Sequence, residues 1–215
     1  MPKLYIVATP IGNLKDITLR AIETLKRVDF VLCEDTRRTK KILNHYDIKT
    51  KTLSYHQHSK RERVEQILDL LKENDLALVT DAGTPGVSDP GNELIEKVVE
   101  KGNEVIPIPG PSAVTAIASV AGLPMDKFLF LGFIPLKKRK KFFEKIINSE
   151  YPVIIYESCH RILKTLEQLK EFKNFNLVIG RELTKKFETV YRGRIDKVQK
   201  EIDNPRGEFV IIIYE

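Results

Sequence analysis

Short apolar runs alternate with amphipathic stretches along the first half of the chain. The apolar runs predict strands at residues 3–8, 29–33, 51–54, 76–80 and 104–107. Between them, apolar residues recur every three to four positions, which predicts helices over 18–26, 36–45, 59–72, 92–101 and 111–121. Because strands and helices alternate, we expect a parallel sheet with helices on both faces.

A break at Gly122-Leu123-Pro124 separates this half from a second set of elements. Strands are predicted at 128–133, 153–156, 176–179, 187–191 and 208–214, and helices at 137–148, 161–172 and 195–200. The last strand is apolar throughout, which is typical of a strand buried on both faces. We therefore predict two α/β domains, residues 1–121 and 122–215, hinged near 120–125. A cleft between them is the default ligand site.

Composition adds that this is a globular chain. Of its 215 residues 42% are hydrophobic and 31% charged, and no apolar run approaches the ~18 residues of a membrane span, so we expect no membrane association. The six-residue apolar stretch near the N-terminus is too short for a signal peptide. Cys33 and Cys159 lie far apart, which favours a reduced, cytoplasmic protein. His56 and His58 form a pair without a third ligand, so we expect no metal.

The positive charge is modest in size but clustered. There are 36 basic against 30 acidic residues, a formal charge of +6. Basic clusters occur at residues 37–41, 137–141 and 185–186. Such clusters are typical of a surface that binds a polyanion, although a solvated face of a Lys- and Glu-rich protein gives the same pattern. Charge alone leaves both interpretations open.

Three loops at predicted strand ends are built from small residues: 8–13, 79–91 and 107–113. Gly83 and Gly86 in the second loop favour close approach of a ligand to the backbone. The chain has neither G-x-G-x-x-G after the first strand nor a G-x-x-x-x-G-K-[ST] motif, and Asp81 and Asp89 would repel phosphate. A ligand with hydroxyls or positive charge fits better. The alternative is that these aspartates cap the helix near Asn92.

Carboxylates and arginines also cluster at strand ends, in residues 34–38, 156–161 and 181–185. Catalytic groups collect at such positions in α/β proteins, and ion-paired helix caps are the alternative. His160 is the histidine found in such a context. Cys159 has no evident base except this neighbour in sequence, so a cysteine nucleophile is not favoured.

Several phrases, in this order, resemble the tetrapyrrole methylase superfamily, and more closely its branch that methylates small-subunit ribosomal RNA. They are L-Y-I-V-A-T-P-I-G-N-L, E-D-T-R, D-A-G-T-P-G-V-S-D-P-G, P-I-P-G-P-S-A, Y-E-S-x-H-R, R-E-L-T-K-K-F-E and G-E-F-V. The resemblance covers essentially the whole chain. It implies two α/β domains with the cofactor S-adenosylmethionine in the cleft between them, a homodimer, and 2′-O-methylation of a cytidine in 16S ribosomal RNA, free or in the assembled subunit.

The resemblance also implies where the site residues lie. With the loop chemistry, it gives these cofactor contacts: Pro10, Asp81, Gly83, Thr84, Pro85, Val87, Ser112, Ala113, Tyr156, Leu183 and Gly207. A 2′-hydroxyl needs a base to withdraw its proton, and the candidates left open are Glu34, Asp35, Glu157 and His160. The cations suited to backbone phosphates are Arg37, Arg161 and Lys185.

The sequence departs from the family in two places. Cys159 stands where the family usually has proline, and the sequence ends soon after G-E-F-V, whereas we expect many relatives to continue with a C-terminal extension. Two other functions stay open at this point. One is methylation of a tetrapyrrole or another small molecule on the same fold, which the basic clusters disfavour. The other is a non-catalytic RNA-binding module, which the ligand-shaped loops disfavour.

Overall fold

The computed structural model describes residues 2–56, 61–203 and 205–215. The chain divides into two compact units, Met1–Ser112 and Ala113–Glu215, and each has its own sheet and apolar core. Both units are α/β, as the alternation of strands and helices predicts. The predicted domains, residues 1–121 and 122–215, stay a prediction.

The first unit contains a five-stranded sheet whose described pairings are all parallel. Its order is β3-β2-β4-β1-β5, with these bounds: β1 Lys3–Val7, β2 Phe30–Cys33, β3 Lys51–Ser54, β4 Leu76–Leu78 and β5 Glu104–Ile108. The helices are α1 Leu19–Arg27, α2 Thr36–His45, α3 Arg61–Leu70 and α4 Asn92–Glu100. Because the strands are parallel, their carboxyl ends and the loops that follow lie along one edge of the sheet.

Helices cover both faces of this sheet, as predicted. Along β2, Val31 and Cys33 belong to one core cluster with α1 and α2, while Leu32 belongs to another with α3 and α4. Successive side chains of a strand point to opposite faces, so the two clusters lie on opposite sides. A 3₁₀ turn at Leu14–Asp16, which the periodicity does not predict, follows the loop after β1.

The second unit begins with α5 (Ala113–Ser119) and contains a mixed sheet of order β6-β7-β10-β8-β9. Its strands are β6 Leu129–Phe133, β7 Val153–Ser158, β8 Asn176–Arg181, β9 Thr189–Arg194 and β10 Glu208–Tyr214, and its helices are α6 Arg139–Ile147, α7 Ile162–Phe172 and α8 Ile195–Glu201. β6 and β7 pair in parallel, and the remaining pairs are antiparallel.

The strand β10 lies at the centre of this second sheet, between β7 and β8. Its residues 209–213 are buried. Ile211 packs in the cluster with α6, α7 and α8, and Ile212 in the cluster with α5. The prediction of a last strand buried on both faces is confirmed. Among the described residues, no helix is long and apolar enough to cross a membrane.

Candidate functional site

The loops after β1 and β4 are joined by backbone hydrogen bonds at the carboxyl edge of the first sheet. The Thr9 N–H donates to the Gly83 carbonyl at 2.8 Å, and the Gly83 N–H donates to the Thr9 carbonyl at 3.0 Å. The Thr9 hydroxyl, which is buried, donates to the Thr80 carbonyl at 3.0 Å. These contacts fix the start of the glycine-rich loop against the residue that precedes Pro10.

Two glycines of this loop adopt backbone conformations that other residues rarely take. Gly83 has φ +86° and Gly86 has φ +80°. A Cβ atom on Gly83 would lie 3.5 Å from Cγ2 of Ile11, an ordinary contact, so the dihedral angle and not crowding requires glycine. Between them, Thr84 donates its hydroxyl to the Pro111 carbonyl at 3.3 Å, and its own carbonyl accepts from the Val87 N–H at 3.3 Å. The segment 84–87 is therefore a defined turn.

The third small-residue loop lies against the first. The Ala8 N–H donates to the Ile108 carbonyl at 3.2 Å, and a Cβ atom on Gly110 would come within 3.0 Å of the Ala8 Cβ. Three loops of the first unit therefore meet at one edge, as the sequence predicts. They carry seven of the predicted cofactor contacts: Pro10, Asp81, Gly83, Thr84, Pro85, Val87 and Ser112. Pro85 is buried, and Val87 is exposed.

The alternative that Asp89 caps the following helix is wrong. The N-cap of α4 is Gly91, with no side-chain hydrogen bond to the helix end. Asp89 instead lies near Glu34 and Asp81, and burial together with these like charges raises its pKa to about 6, against a smaller opposing effect of a hydrogen bond with Thr80. The groups that act on this carboxyl are therefore Glu34, Thr80 and Asp81, which lie at the ends of β2 and β4.

A cavity of about 460 Å³ opens where β2 and β3 end. Its lining residues are Glu34, Asp35, Thr36, Arg37, Ser54, His56 and Asp81. Thus the structure brings the predicted residues 34, 35, 37 and 81 together. Ser54 Oγ lies 2.6 Å from His56 Nε2. His58, the other half of the candidate metal pair, lies outside the described residues.

Within this cavity the carboxylates differ in how they are held. Glu34 Oε1 accepts from the Thr80 hydroxyl at 2.8 Å. Asp35 is the N-cap of α2, accepting from the Arg37 N–H at 2.8 Å and pairing with Arg37 Nη2 at 3.1 Å. These bonds lower the pKa of Asp35 to about 2. The helix-cap alternative is therefore correct for Asp35, which leaves Glu34 as the carboxylate less committed to local structure.

Asp81 connects the two loops that border this cavity. Its Oδ1 accepts from the Asp35 N–H at 3.2 Å, and its Oδ2 lies 3.2 Å from Arg38 Nη1. Arg38 is one of the clustered cations at 37–41, so part of that cluster neutralises the site's own carboxylates.

In the second unit, Glu157 is a buried anion at the end of β7, its side chain 0% exposed. Its Oε1 lies 2.6 Å from Arg161 Nη2 and accepts from the Ser158 N–H at 2.8 Å. Its Oε2 accepts from the Thr165 hydroxyl at 2.7 Å and lies 3.9 Å from Arg139 Nη1. Glu157 stays a candidate base, but both oxygens are engaged with the protein, which favours a structural role.

The neighbours of Glu157 in the predicted cluster differ in how far they are exposed. His160 is exposed in the turn after β7. Arg161 is only 24% exposed through its side chain, and its Nη1 donates to the Ile134 carbonyl at 3.1 Å. Sequence reasoning missed Arg139, which it grouped with the surface cations at 137–141; its side chain is only 17% exposed. The composition of a basic run does not show which of its residues is buried. The helical spacing does, because residue 139 lies four positions before Phe143 and seven before Ile146, on the same buried face of α6.

The loop after β8 holds the remaining predicted residues of the second unit. Glu182 and Thr184, on either side of Leu183, have φ of +51° and +67°, conformations that cost energy outside glycine. Lys185 Nζ bridges Glu182 Oε1 at 2.9 Å and Glu208 Oε2 at 2.8 Å. Gly207 has φ +92°, and a Cβ atom there would lie 2.4 Å from Glu182 Cδ. Lys185 therefore has carboxylate partners within the protein.

Two predicted contacts are parts of regular elements. Ala113 begins α5, and it packs on the cluster that contains Ile212. Tyr156 lies in β7, with its ring centroid 5.1 Å from Phe130 and 5.2 Å from Phe133. Whether these side chains touch a cofactor stays a prediction.

Comparison with known proteins gives consistent matches. Residues 3–199 match the family model for Tetrapyrrole (Corrin/Porphyrin) Methylases. Ribosomal RNA small subunit methyltransferase I of Synechocystis is 44% identical over 98% of this chain and 78% of its own length. The protein of the same name from Thermotoga maritima is 43% identical over 99% of this chain and 98% of its own.

A solved structure matches at the level of the fold. A diphthine synthase superposes with a TM-score of 0.79 over 99% of this chain and 90% of its own, at 14% sequence identity. With the family model and the relatives above, the chain belongs to the tetrapyrrole methylase family and, within it, to the ribosomal RNA small subunit methyltransferase I group.

Proposed function

We propose that this chain transfers a methyl group from S-adenosylmethionine to the ribose 2′-oxygen of a cytidine in small-subunit ribosomal RNA. The observation that carries the proposal is identity of 43–44% over 98–99% of the chain to methyltransferases named for that RNA. A homodimer in the cytoplasm and the choice between free RNA and assembled subunit belong to the same proposal.

The loops of the first unit fit a sulfonium cofactor better than a phosphorylated one. The turn 84–87 is built from small residues around Gly86, and Asp81 and Asp89 lie in the same loop. Carboxylates favour a cationic or hydroxyl-bearing ligand and disfavour phosphate. We assign the turn 84–87 and Gly83 to the cofactor, with Pro10 and Ser112 at the ends of the adjoining loops. When bound, the cofactor supplies an electrophilic methyl group.

The residues of this chain have two tasks in such a transfer. They align the ribose oxygen for an in-line displacement, and they accept the proton that the hydroxyl loses. Of the four candidate bases, we favour Glu34: it lines the cavity and accepts one hydrogen bond from Thr80, whereas Asp35 is a paired helix cap. Asp89 is a second carboxyl close enough to Glu34 for the Glu34 charge to help raise its pKa to about 6.

A labelled-methyl assay tests the function. Purified protein with labelled S-adenosylmethionine is expected to methylate small-subunit RNA or subunits, and nuclease digestion with mass spectrometry is expected to place the label on a cytidine ribose. Transfer to tetrapyrrole acceptors and not to RNA would instead support the small-molecule alternative. A folded, cofactor-bound protein that labels no RNA would contradict the proposal.

A separate comparison tests the choice of base. Glu34→Gln is expected to lower kcat by about 10²-fold or more while the affinity for S-adenosylmethionine changes little. Asp35→Asn serves as the matched variant in the same cavity, with a smaller loss of kcat expected. Equal losses in both variants would contradict the assignment of Glu34.

A further inference from the structure

We propose that the loop at residues 135–138 and the first turn of α6 form a contact surface for single-stranded RNA, and that Arg139 is the positioning residue of this surface. The proposal rests on the proposed function only for the identity of the polyanion. Its structural basis lies in the five consecutive basic residues 137–141. The four lysines of this run are exposed, whereas the side chain of the arginine points into the protein.

The four lysines of the run are exposed: Lys137, Lys138, Lys140 and Lys141. Arg139 between them has a side chain that is 17% exposed. The loop also presents Leu136, whose exposure of 83% is high for a large apolar side chain. The surface therefore combines four point charges with one apolar group, within a stretch of six residues.

Arg139 anchors one end of this surface in the body of the second unit. Its Nε donates to Gln168 Oε1 at 3.0 Å, and its Nη2 donates to the Thr165 hydroxyl at 2.8 Å. Its Nη1 lies 3.9 Å from Glu157 Oε2. All of these partners belong to β7 or α7, so the first turn of α6 is held against two other elements by one guanidinium.

Arg161 anchors the other end of the loop through the same carboxylate. Its Nη1 donates to the Ile134 carbonyl at 3.1 Å, and its Nη2 lies 2.6 Å from Glu157 Oε1. The exposed loop is thus tied on both sides to Glu157. Lys138, with φ +58°, adopts a left-handed conformation that costs a non-glycine residue energy and persists where the surroundings fix it. The lysines therefore lie on a loop whose position is fixed by contacts with the rest of the second unit.

Charge and chemistry fit a polyanion with groups that an apolar side chain can contact, and the proposed function makes that polyanion RNA. Lysines hold backbone phosphates as point charges without reading sequence, and an apolar side chain contacts sugars or unstacked bases of a single strand. Glu144, on the next turn of α6, is an exposed acid that bounds the positive surface. A surface of this kind contributes affinity that falls as salt concentration rises.

Binding of a fluorescent single-stranded RNA oligonucleotide, followed by anisotropy over a range of salt concentrations, tests the surface without any methyl transfer. Each of Lys137→Gln, Lys140→Gln and Lys141→Gln is expected to weaken binding severalfold and to reduce the salt slope by about 0.7 for each phosphate that is no longer neutralised. Lys200→Gln, an exposed lysine on α8, is the matched control and is expected to change neither. Unchanged affinity in all three loop variants would overturn the surface.

Arg139→Gln tests the positioning role. It is expected to weaken RNA binding severalfold and to raise KM for RNA by a larger factor than it lowers kcat at saturating RNA, with the calorimetric affinity for S-adenosylmethionine as the check that the protein is folded. Arg139→Lys, which keeps the charge but not the fork, is expected to recover part of the affinity. If Arg139→Gln does not fold, Gln168→Ala removes only the bond to Nε and is expected to weaken binding in the same direction.

The outcomes separate the two proposals. RNA binding through these lysines without methyl transfer would leave the surface intact and overturn the proposed function. RNA methylation that is unaffected by substitution of the lysines and of Arg139 would support the proposed function and overturn the surface. A stronger affinity of the surface for polyglutamate than for RNA of equal charge would overturn the assignment of RNA. Full RNA affinity in folded Arg139→Gln would overturn the positioning role.

Discussion

Thr9 and Gly83 exchange two backbone hydrogen bonds, of 2.8 and 3.0 Å, although 74 positions separate them in the chain. The exchange brings a left-handed glycine to the point where the first strand ends. It makes the loop after β4 part of the sheet's edge, and it sets the direction in which the turn 84–87 faces.

Gly83→Ala is expected to weaken S-adenosylmethionine binding by about tenfold, because a methyl group would be added where we assign the cofactor. Gly102→Ala is a matched control, since Gly102 has φ +79° and a Cβ atom there would meet nothing within 4 Å. Both variants are expected to lose about 1 kcal/mol of unfolding free energy through backbone strain. Calorimetry and urea unfolding separate the effects; equal cofactor affinity in the two variants would contradict the assignment.

Asp89 is expected to make the protein less stable as pH rises. Its pKa is about 6 in the folded state against 3.8 ordinarily, so the folded state binds more protons than the unfolded state between these values. Stability is therefore lost as pH rises from about 4 to 6 and stays at the lower level above. Asp89→Asn is expected to remove this slope and to stabilise the protein at pH 7 by about 1–2 kcal/mol, after allowance for solvent screening.

Unfolding in urea at several pH values measures this effect. Asp35 supplies a contrast of opposite sign, because its pKa is lowered to about 2 and its contribution to stability is lost as pH falls through that value. A steeper loss of stability above pH 4 in Asp89→Asn than in the parent chain would refute the placement of this carboxyl near Glu34.

Glu157→Gln is expected to destabilise the second unit by about 3–5 kcal/mol, because it leaves two partly buried arginines without their shared counter-charge. Urea unfolding measures the loss. Glu215→Gln is the matched control: its partner Lys173 is half exposed, and a change below about 1 kcal/mol is expected. Normal stability of Glu157→Gln with a large loss of kcat would instead identify Glu157 as the base.

Gly207→Ala is expected to disrupt the loop that carries Leu183. An added Cβ would lie 2.4 Å from Glu182 Cδ, so the bridge from Lys185 to Glu182 has to shift. Gly122→Ala is the control, since its φ of +73° is similar and a Cβ atom there meets nothing within 4 Å. Thermal unfolding is expected to show a larger loss for Gly207→Ala, and calorimetry a weaker cofactor affinity; equal effects of both variants would refute the clash.

Most strands and helices of the fold follow from the sequence because most have a clear period, although their ends shift by a few residues, as in β9, and the turn at Leu14–Asp16 has no such period. The strand β10 illustrates this: residues 209–213 are apolar without alternation, and the structure buries them on both faces. Its place between β7 and β8 does not follow, because any buried strand has the same composition. Pairing order depends on long-range packing, which periodicity within one segment does not record.

The candidate site was predictable in its position but not in its division of roles. Asp35 and Asp89 are both aspartates in turns before helices. The first caps its helix, and the second has a glycine in the capping place and points back to Glu34. The difference arises from the residues with positive φ between Asp81 and Asn92, which together set the direction of the loop. Such a combined effect cannot be read from the propensity of any single residue. Arg139 was missed for a similar reason, since burial of one cation depends on a carboxylate 18 positions away.

The central position of β10 has a consequence for synthesis of the chain. Until residue 214 has left the ribosome, β7 and β8 each lack the neighbour that separates them, and both present unpaired edges. The strands of the first sheet are all synthesised by residue 108, so this sheet can fold before β10 of the second sheet has been made. We therefore expect nascent chains that stop short of residue 208 to contain a folded first unit and an aggregation-prone second one.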